Sequence, residues 1–350
     1  CSPFYVELAA QHEFNALILL FAKLVLVSII LLPLTILMGG TLPALVKWAT
    51  ARIQDIEKSL SFLYFINSLG AVLGTIIAGY YLISSFGLDL SLYLTATLNL
   101  VIGCIALGLN RFFSEPQAKP NTLNKHEDRK DTLSVEKVPL GFALITGAFL
   151  IGFTTLSYEV AWVRLLTLVI GGSTYSFSIM LAAFISGIAL GSWLLSRGLF
   201  SEISSIKRFV LSEFLLVTVL LIILPMHQHL PYLFYRLNSM FTHSATTFYV
   251  FEFAKFMFSF SLMLVPTLFM GMALPLLTIA ATKGLDDLGD KLGTVFAANT
   301  IGNLCGAIGT GMFLLPLLGL KGILETMTLV NFLVATYFLF RFVAWERQQK

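Results

Sequence analysis

The sequence predicts an all-α polytopic membrane protein with about nine transmembrane helices, arranged as a parallel internal repeat with the first half-repeat incomplete. Three observations predict it. The 350-residue chain is 57% hydrophobic and only 12% charged, about half the charged share of an ordinary water-facing domain. Its apolar runs are each around 20 residues, the length that crosses a hydrocarbon core of about 30 Å. The chain also matches itself, without a gap, when shifted by 232 residues.

The runs lie at 15–37, 60–83, 90–109, 140–160, 173–196, 208–225, 250–272, 291–315 and 320–342. A backbone inside lipid must satisfy its own hydrogen bonds, so these runs are helices. A membrane barrel would show alternating segments of about ten residues instead. The stretch 160–173, with Trp162, Arg164, Gly171 and Gly172, reads as a re-entrant or interfacial turn. Pro266, Gly271 and Pro275 predict a kink or break, and Pro43 and Pro275 are expected to end their helices soon after a Met-Gly pair. Residues 111–138 form the one sizeable polar stretch, a flexible linker. The organisation expected is therefore 1–110 (three helices), 111–138 (linker) and 139–350 (six helices and a short tail).

Charge sets the orientation. With the N-terminus outside and alternating helices, the inner segments hold 17 of the 22 basic residues and the outer ones only Arg164, Arg236 and Lys321. The positive-inside rule then places the C-terminus in the cytoplasm. A net charge of +3, scattered among spans, excludes a nucleic-acid partner, and three cysteines exclude a disulfide scaffold. The lipid bilayer is the expected partner.

The repeat is carried by unusual residues. Met38-Gly39-Gly40-Thr41-Leu42-Pro43 falls on Met270-Gly271-Met272-Ala273-Leu274-Pro275, and Phe21-Ala22-Lys23 on Phe253-Ala254-Lys255. Asn67, Gly70, Gly74 and Gly79 fall on Asn299, Gly302, Gly306 and Gly311, and Gly87-Leu88 on Gly319-Leu320. An offset spanning six helices makes the two copies parallel. The first copy keeps only its last three helices. The others would lie before Cys1, giving a six-plus-six arrangement like that of major facilitator transporters, or this chain lacks them. Cys1-Ser2 on the outer face would also suit a lipid-modified N-terminus.

Several phrases form a recognisable set: Ser157-Tyr158-Glu159-Val160-Ala161-Trp162-Val163-Arg164-Leu165-Leu166, Gly172-Ser173-Thr174-Tyr175-Ser176-Phe177-Ser178, and Leu181 to Ser192, together with the Met-Gly-x-x-Leu-Pro and Asn-x-x-Gly-x-x-x-Gly elements. The set resembles the membrane portion of the fused membrane/spermidine-synthase-like proteins of bacteria. The resemblance implies a major-facilitator-like membrane unit in the bacterial inner membrane, associated with an aminopropyltransferase-like domain. That domain's glycine-rich and acidic site elements are absent from this sequence. No catalytic constellation is visible, and neither a cofactor nor a metal is expected; His227 and His229, two apart in a loop, are too few ligands.

The residues singled out for a substrate or ion pathway are polar groups in apolar runs, which are rare there and functional by default. Glu252 and Lys255, three apart, share a helical face and can pair. Lys23 is the repeat equivalent of Lys255. Glu159 and Arg164 flank Trp162, and Glu213 lies about a turn into its span. Asn67, Asn299 and Asn303 are amides that need partners. Gly70 with Gly74, Gly187 with Gly191, and Gly302 with Gly306 are small-xxx-small pairs for close helix packing. Arg52, Asp55, Glu57 and Lys58 read as a solvated link between helices, and Cys104 and Cys305 as packing residues. Two functions follow. One is a transporter moving a small cationic amine or related metabolite by alternating access, with three glutamates to hold the cation. The other is a membrane anchor or accessory subunit for a protein partner at the cytoplasmic face.

Overall fold

The computed structural model describes residues 16–53, 55–112, 141–241, 247–282 and 288–343. Cys1, the linker from residue 113 onward and the side chain of Lys23 lie outside this description. The helices are α1 (Ala16–Ile53), α2 (Ile56–Ile77), α3 (Ile83–Phe112), α4 (Phe142–Ile170), α5 (Thr174–Ser196), α6 (Ser205–Ile223), α7 (Leu230–Asn238), α8 (Phe248–Ala281), α9 (Leu288–Gly309) and α10 (Leu315–Phe338). A π-helical turn, Ala78–Leu82, joins α2 to α3, and another, Thr310–Leu314, joins α9 to α10. The chain is an all-α, multi-spanning membrane protein. Among the described residues, six stretches are long and apolar enough to cross a bilayer.

Two of these stretches, Ile56–Gly108 and Gly289–Arg341, are 53 residues long. A straight helix of that length would extend about 80 Å at 1.5 Å per residue, far beyond a core of about 30 Å. Each is broken at a glycine: Gly87 has φ 72° and ψ 179°, Gly319 φ 66° and ψ 177°. Side-chain-bearing residues are strained in that region, and glycine is not. In the second stretch the contacts show the chain doubling back. Going up α9, Gly302, Gly306 and Thr310 meet Phe149, Phe153 and Ser157 of α4 in the same direction. Beyond Gly319, Thr328 meets Tyr158 and Phe338 meets Gly147, in the opposite direction.

Packing is organised by two glycine crossings. Where α5 meets α8, a Cβ on Gly187 would strike Thr267, one on Gly191 the backbone of Leu268, and one on Gly271 the backbone of Ile188. Where α4 meets α9, a Cβ on Gly302 or Gly306 would strike the backbone of Phe149 or Phe153, and one on Gly152 that of Asn299. Each crossing combines a Gly-x-x-x-Gly helix with a single glycine on its neighbour. Small residues permit this approach, and in lipid van der Waals contact supplies much of the association. Helix α6 packs on α8 and α10, and α10 also packs on α4. By contrast, a Cβ on Gly70 or Gly74 meets nothing within 4 Å, and Cys104 and Cys305 are exposed rather than packed.

Two further expectations are corrected. Residues 160–170 are not a turn: α4 continues to Ile170, because Ala161, Trp162, Leu165 and Leu166 are buried, and Gly171 with φ 98° ends it. The prolines do not end their helices: α1 runs through Pro33 and Pro43, and α8 through Pro266 and Pro275. Pro275 has no N–H for the carbonyl of Gly271, four residues back. Ser192 Oγ of α5 donates to that carbonyl at 3.0 Å, so the freed group is satisfied by a neighbouring helix, as lipid requires.

The glycine crossings give a test. Gly191→Leu and Gly306→Leu drive a side chain into a facing backbone, and each should destabilise this 350-residue chain by about 1–3 kcal/mol. Gly70→Leu and Gly74→Leu should stay within about 0.5 kcal/mol of the parent. Thermal unfolding in detergent, followed by helical circular dichroism, separates the two pairs.

Candidate functional site

The candidate site lies where α2 meets α5. The two helices are antiparallel: Lys58, Ser59 and Phe62 lie beside Trp193, Ser196 and Arg197 at one end, and Gly79 and Tyr80 lie beside Ser178 and Tyr175 at the other. The first end is the basic end, with Lys58, Arg197, Arg208 and, near Gly289, Lys47. Each end carries a contact between α2, or the turn after it, and a later helix: an ion pair to α6 at the basic end and a tyrosine–carboxylate hydrogen bond to α8 at the other.

At the end away from the basic face, Lys255 Nζ lies 2.5 Å from Glu252 Oε1. Tyr80 Oη donates to Glu252 Oε2 at 2.8 Å. Glu252 and Lys255 are both buried. The ammonium also sits over the Phe251 ring, 5.2 Å from its centroid, a favourable place for a desolvated cation. Tyr80 packs on Tyr175 at 5.0 Å between ring centroids, and Tyr175 on Phe248 at 5.6 Å. The tyrosine that donates to the carboxylate is thus the first of three linked aromatic rings. Tyr80 reaches it from the π-helical turn Ala78–Leu82, a local widening of the kind that often marks functional positions.

At the basic end, Arg208 grips Glu57 in bidentate fashion, with Nη1 on Oε1 and Nη2 on Oε2, the latter at 2.7 Å. Nη2 also approaches Ser205 Oγ at 3.4 Å. Glu57 sits in the first turn of α2, whose N-cap Asp55 accepts from Lys58 N at 3.0 Å. The expected solvated link thus supplies one half of an ion pair with the buried Arg208. Bidentate guanidinium–carboxylate geometry fixes orientation as well as charge.

The other predicted residues are dispersed. Glu213 is buried on α6, and its Oε2 has no hydrogen-bond partner among the described residues. Glu159 is half-buried next to Tyr158, whose hydroxyl donates to Thr328 Oγ1 at 3.3 Å. Arg164 is exposed, and no ion pair joins it to Glu159 among the described residues. Asn67 is exposed; Asn299 lends its backbone to the Gly152 crossing; Asn303 has a buried Oδ1 with no partner among the described residues. The structure therefore brings together Glu252 and Lys255 but leaves Glu159 and Glu213 elsewhere. Tyr80, Tyr175 and Arg208 were not singled out from sequence, and Glu57 was read only as part of a solvated link. Glu57 and Arg208 are 151 residues apart, a separation that periodicity does not bridge.

Comparison with known proteins supplies no relative: no family model, no curated protein and no solved structure matches this chain.

The buried pair makes a stability prediction. Lys255→Met leaves Glu252 desolvated and without its cation, and should destabilise the protein by about 3–5 kcal/mol. Adding Glu252→Gln removes the stranded charge and should restore more than half of that loss. A double-mutant cycle by thermal unfolding measures the coupling.

Proposed function

We propose that this chain is a transporter-like membrane protein that moves a small cationic amine or related metabolite by alternating access. The observation that carries this reading is a pair of contacts at opposite ends of α2: Glu57 to Arg208 of α6, and Tyr80, in the turn after α2, to Glu252 of α8. Glu57–Arg208 closes the basic end, and Tyr80–Glu252–Lys255 closes the other. A rocking motion of α2 against α6 and α8 would break one while keeping the other. The second contact also has the chemistry of an amine site. Its carboxylate accepts from Tyr80, whose ring packs on Tyr175 and, through it, on Phe248, and aromatic faces favour cations. Lys255 is then an internal cation that an amine substrate displaces. Glu159 and Glu213 are further acids for a cation or a coupling proton. The family resemblance, with its spermidine-synthase-like association, favours polyamines.

The same reading takes the chain as parallel repeats in a bacterial inner membrane, crossing it about nine times, with the N-terminus outside and the C-terminus cytoplasmic. Support comes from two features that recur at the 232-residue offset: the π-helical turns at Ala78–Leu82 and Thr310–Leu314, and the breaks at Gly87 and Gly319.

One observation favours the anchor reading. Helix α3 is exposed along almost its whole length, yet Ser91, Thr95, Asn99 and Gly103 form a small, polar ridge. Their counterparts at the offset, Ile323, Met327, Asn331 and Ala335, are buried against α4 and α6. A ridge of that kind suits further helices, in the same protein or in a partner.

Proteoliposomes decide between the two. The transporter reading expects saturable uptake of radiolabelled spermidine, reduced by about two orders of magnitude by Glu252→Gln, as loss of a buried charged contact implies. Uptake unaffected by Glu252→Gln overturns the site. No uptake of any polyamine, together with stoichiometric co-purification of a membrane protein that Asn99→Leu releases, establishes the anchor instead.

A further inference from the structure

We propose that the groove behind α8 is a binding seat for an anionic phospholipid. The groove has a volume of about 720 Å³ and is lined by Ile223, Met226, Leu237, Phe253, Met257 and Phe258, among others. It lies between two membrane-crossing stretches, Ser205–Met226 and Phe248–Ala281. Ala254 leaves room on the α8 side, and the one polar side chain in the lining, Ser261, spends its hydroxyl on Met257 O at 2.7 Å. A polar metabolite would find nothing to bond there, whereas an acyl chain needs only apolar surface. The volume is within the range of lipid- and drug-sized sites.

Helix α7 roofs the groove. It starts with Pro231 in its first turn, buries Leu230, places Leu237 in the lining, and exposes Tyr232, Tyr235 and Arg236. Phe234 of α7 packs against Phe258 of α8 at 6.0 Å between ring centroids. A short amphipathic helix with exposed tyrosines and an arginine lies naturally at headgroup depth. Arg236 Nη1 is 3.4 Å from Tyr232 Oη, so a guanidinium and a phenol stand together on the helix that places Leu237, the residue after Arg236, in the lining. Charge complementarity names the headgroup. Between Glu213 and Glu252 the sequence has no acidic residue, while it has Arg236 and three histidines. The tail fills the groove and the phosphate meets Arg236.

The face used is distinct from the ionic one. Val250, Phe253, Ala254, Met257 and Ser261 form the groove side of α8, while Glu252, Lys255 and Ser259 lie on the buried side. The seat therefore backs the helix that carries Glu252. It rests on the membrane character of the chain and not on the transport reading, so failure of uptake leaves it standing.

The test uses the full chain in nanodiscs, with Phe253→Trp as a fluorescent reporter read against the unsubstituted protein. Brominated phosphatidylglycerol should quench the reporter at about a fivefold lower mole fraction than brominated phosphatidylcholine, the scale one basic residue contributes near an anionic surface. Arg236→Gln should abolish that preference, and Lys321→Gln should keep it. Equal quenching by both lipids overturns the proposal, as does a preference that survives Arg236→Gln. Native mass spectrometry of the unsubstituted protein gives an independent reading. Retained phosphatidylglycerol that is lost with a groove-filling Ala254→Trp supports the seat; retention of a free fatty acid or another apolar compound in its place overturns it.

Discussion

Close backbone contact at glycine is the constraint from which the rest of this structure follows. In lipid the solvent is as apolar as leucine, so helices gain little from hiding apolar surface and must gain from contact. Gly187 and Gly191 let α5 press on α8, and Gly302 and Gly306 let α9 press on α4. The approach brings Ser192 Oγ to the Gly271 carbonyl that Pro275 leaves without a donor. It also brings Thr310 Oγ1 within 2.8 Å of Ser157 Oγ. With α5 and α8 fixed to each other, α2 lies along α5, and Tyr80 at its far end reaches Glu252 on α8. Remove the crossing and the ionic contact loses its geometry.

The two ionic contacts are poor devices for stability as such. Taking both charges out of water offsets much of what their attraction returns, and an apolar pair of similar volume often serves as well. What ion pairs add is orientation and an alternative. Arg208 and Glu57 meet by a two-pronged geometry that tolerates little displacement, so the basic end of α2 is either engaged or released. Glu252 has one oxygen on Lys255 and the other on Tyr80, and an incoming cation must replace the first without stranding the charge. The two contacts tie opposite ends of α2 to two different later helices, α6 and α8.

Much of the fold was legible in the sequence because lipid imposes simple rules: apolar length gives helices, and backbone satisfaction forbids most alternatives. The pairing of Glu252 with Lys255 was legible too, since three-residue spacing is a local property. What was missed depends on partners far along the chain. Pro43 and Pro275 looked like helix ends because local rules treat proline as a breaker, whereas Ser192, 79 residues from Gly271, supplies what Pro275 removes. Glu57 read as part of a solvated link because it sits at the start of a helix, and its partner Arg208 lies 151 residues away. Tyr80 gave no signal of its own. Its placement depends on a π-helical turn, and one extra residue per turn rotates a side chain to a face that 3.6-residue periodicity does not assign.

Helix α8 shows why periodicity said little about function here. Met263, Thr267, Met270, Gly271 and Leu274 lie on its buried flank with α5 nearby; Glu252, Lys255 and Ser259 are buried near its start; Phe253 and Met257 line an apolar groove. All sides are occupied, so no single polar face stands out, as expected for a helix apolar all round. Helix α3 is the converse. Lipid and apolar side chains are interchangeable neighbours, so lipid contact selects for large apolar residues only weakly, yet it selects against an amide. Leu90, Leu94, Leu98 and Val101 fit a lipid-facing side, and they are exposed. Asn99, flanked a turn away by Thr95 and Gly103, does not. Ser91 and Thr95 satisfy their hydroxyls on the preceding turn of α3, which leaves Asn99 as the group of the ridge that lipid suits least.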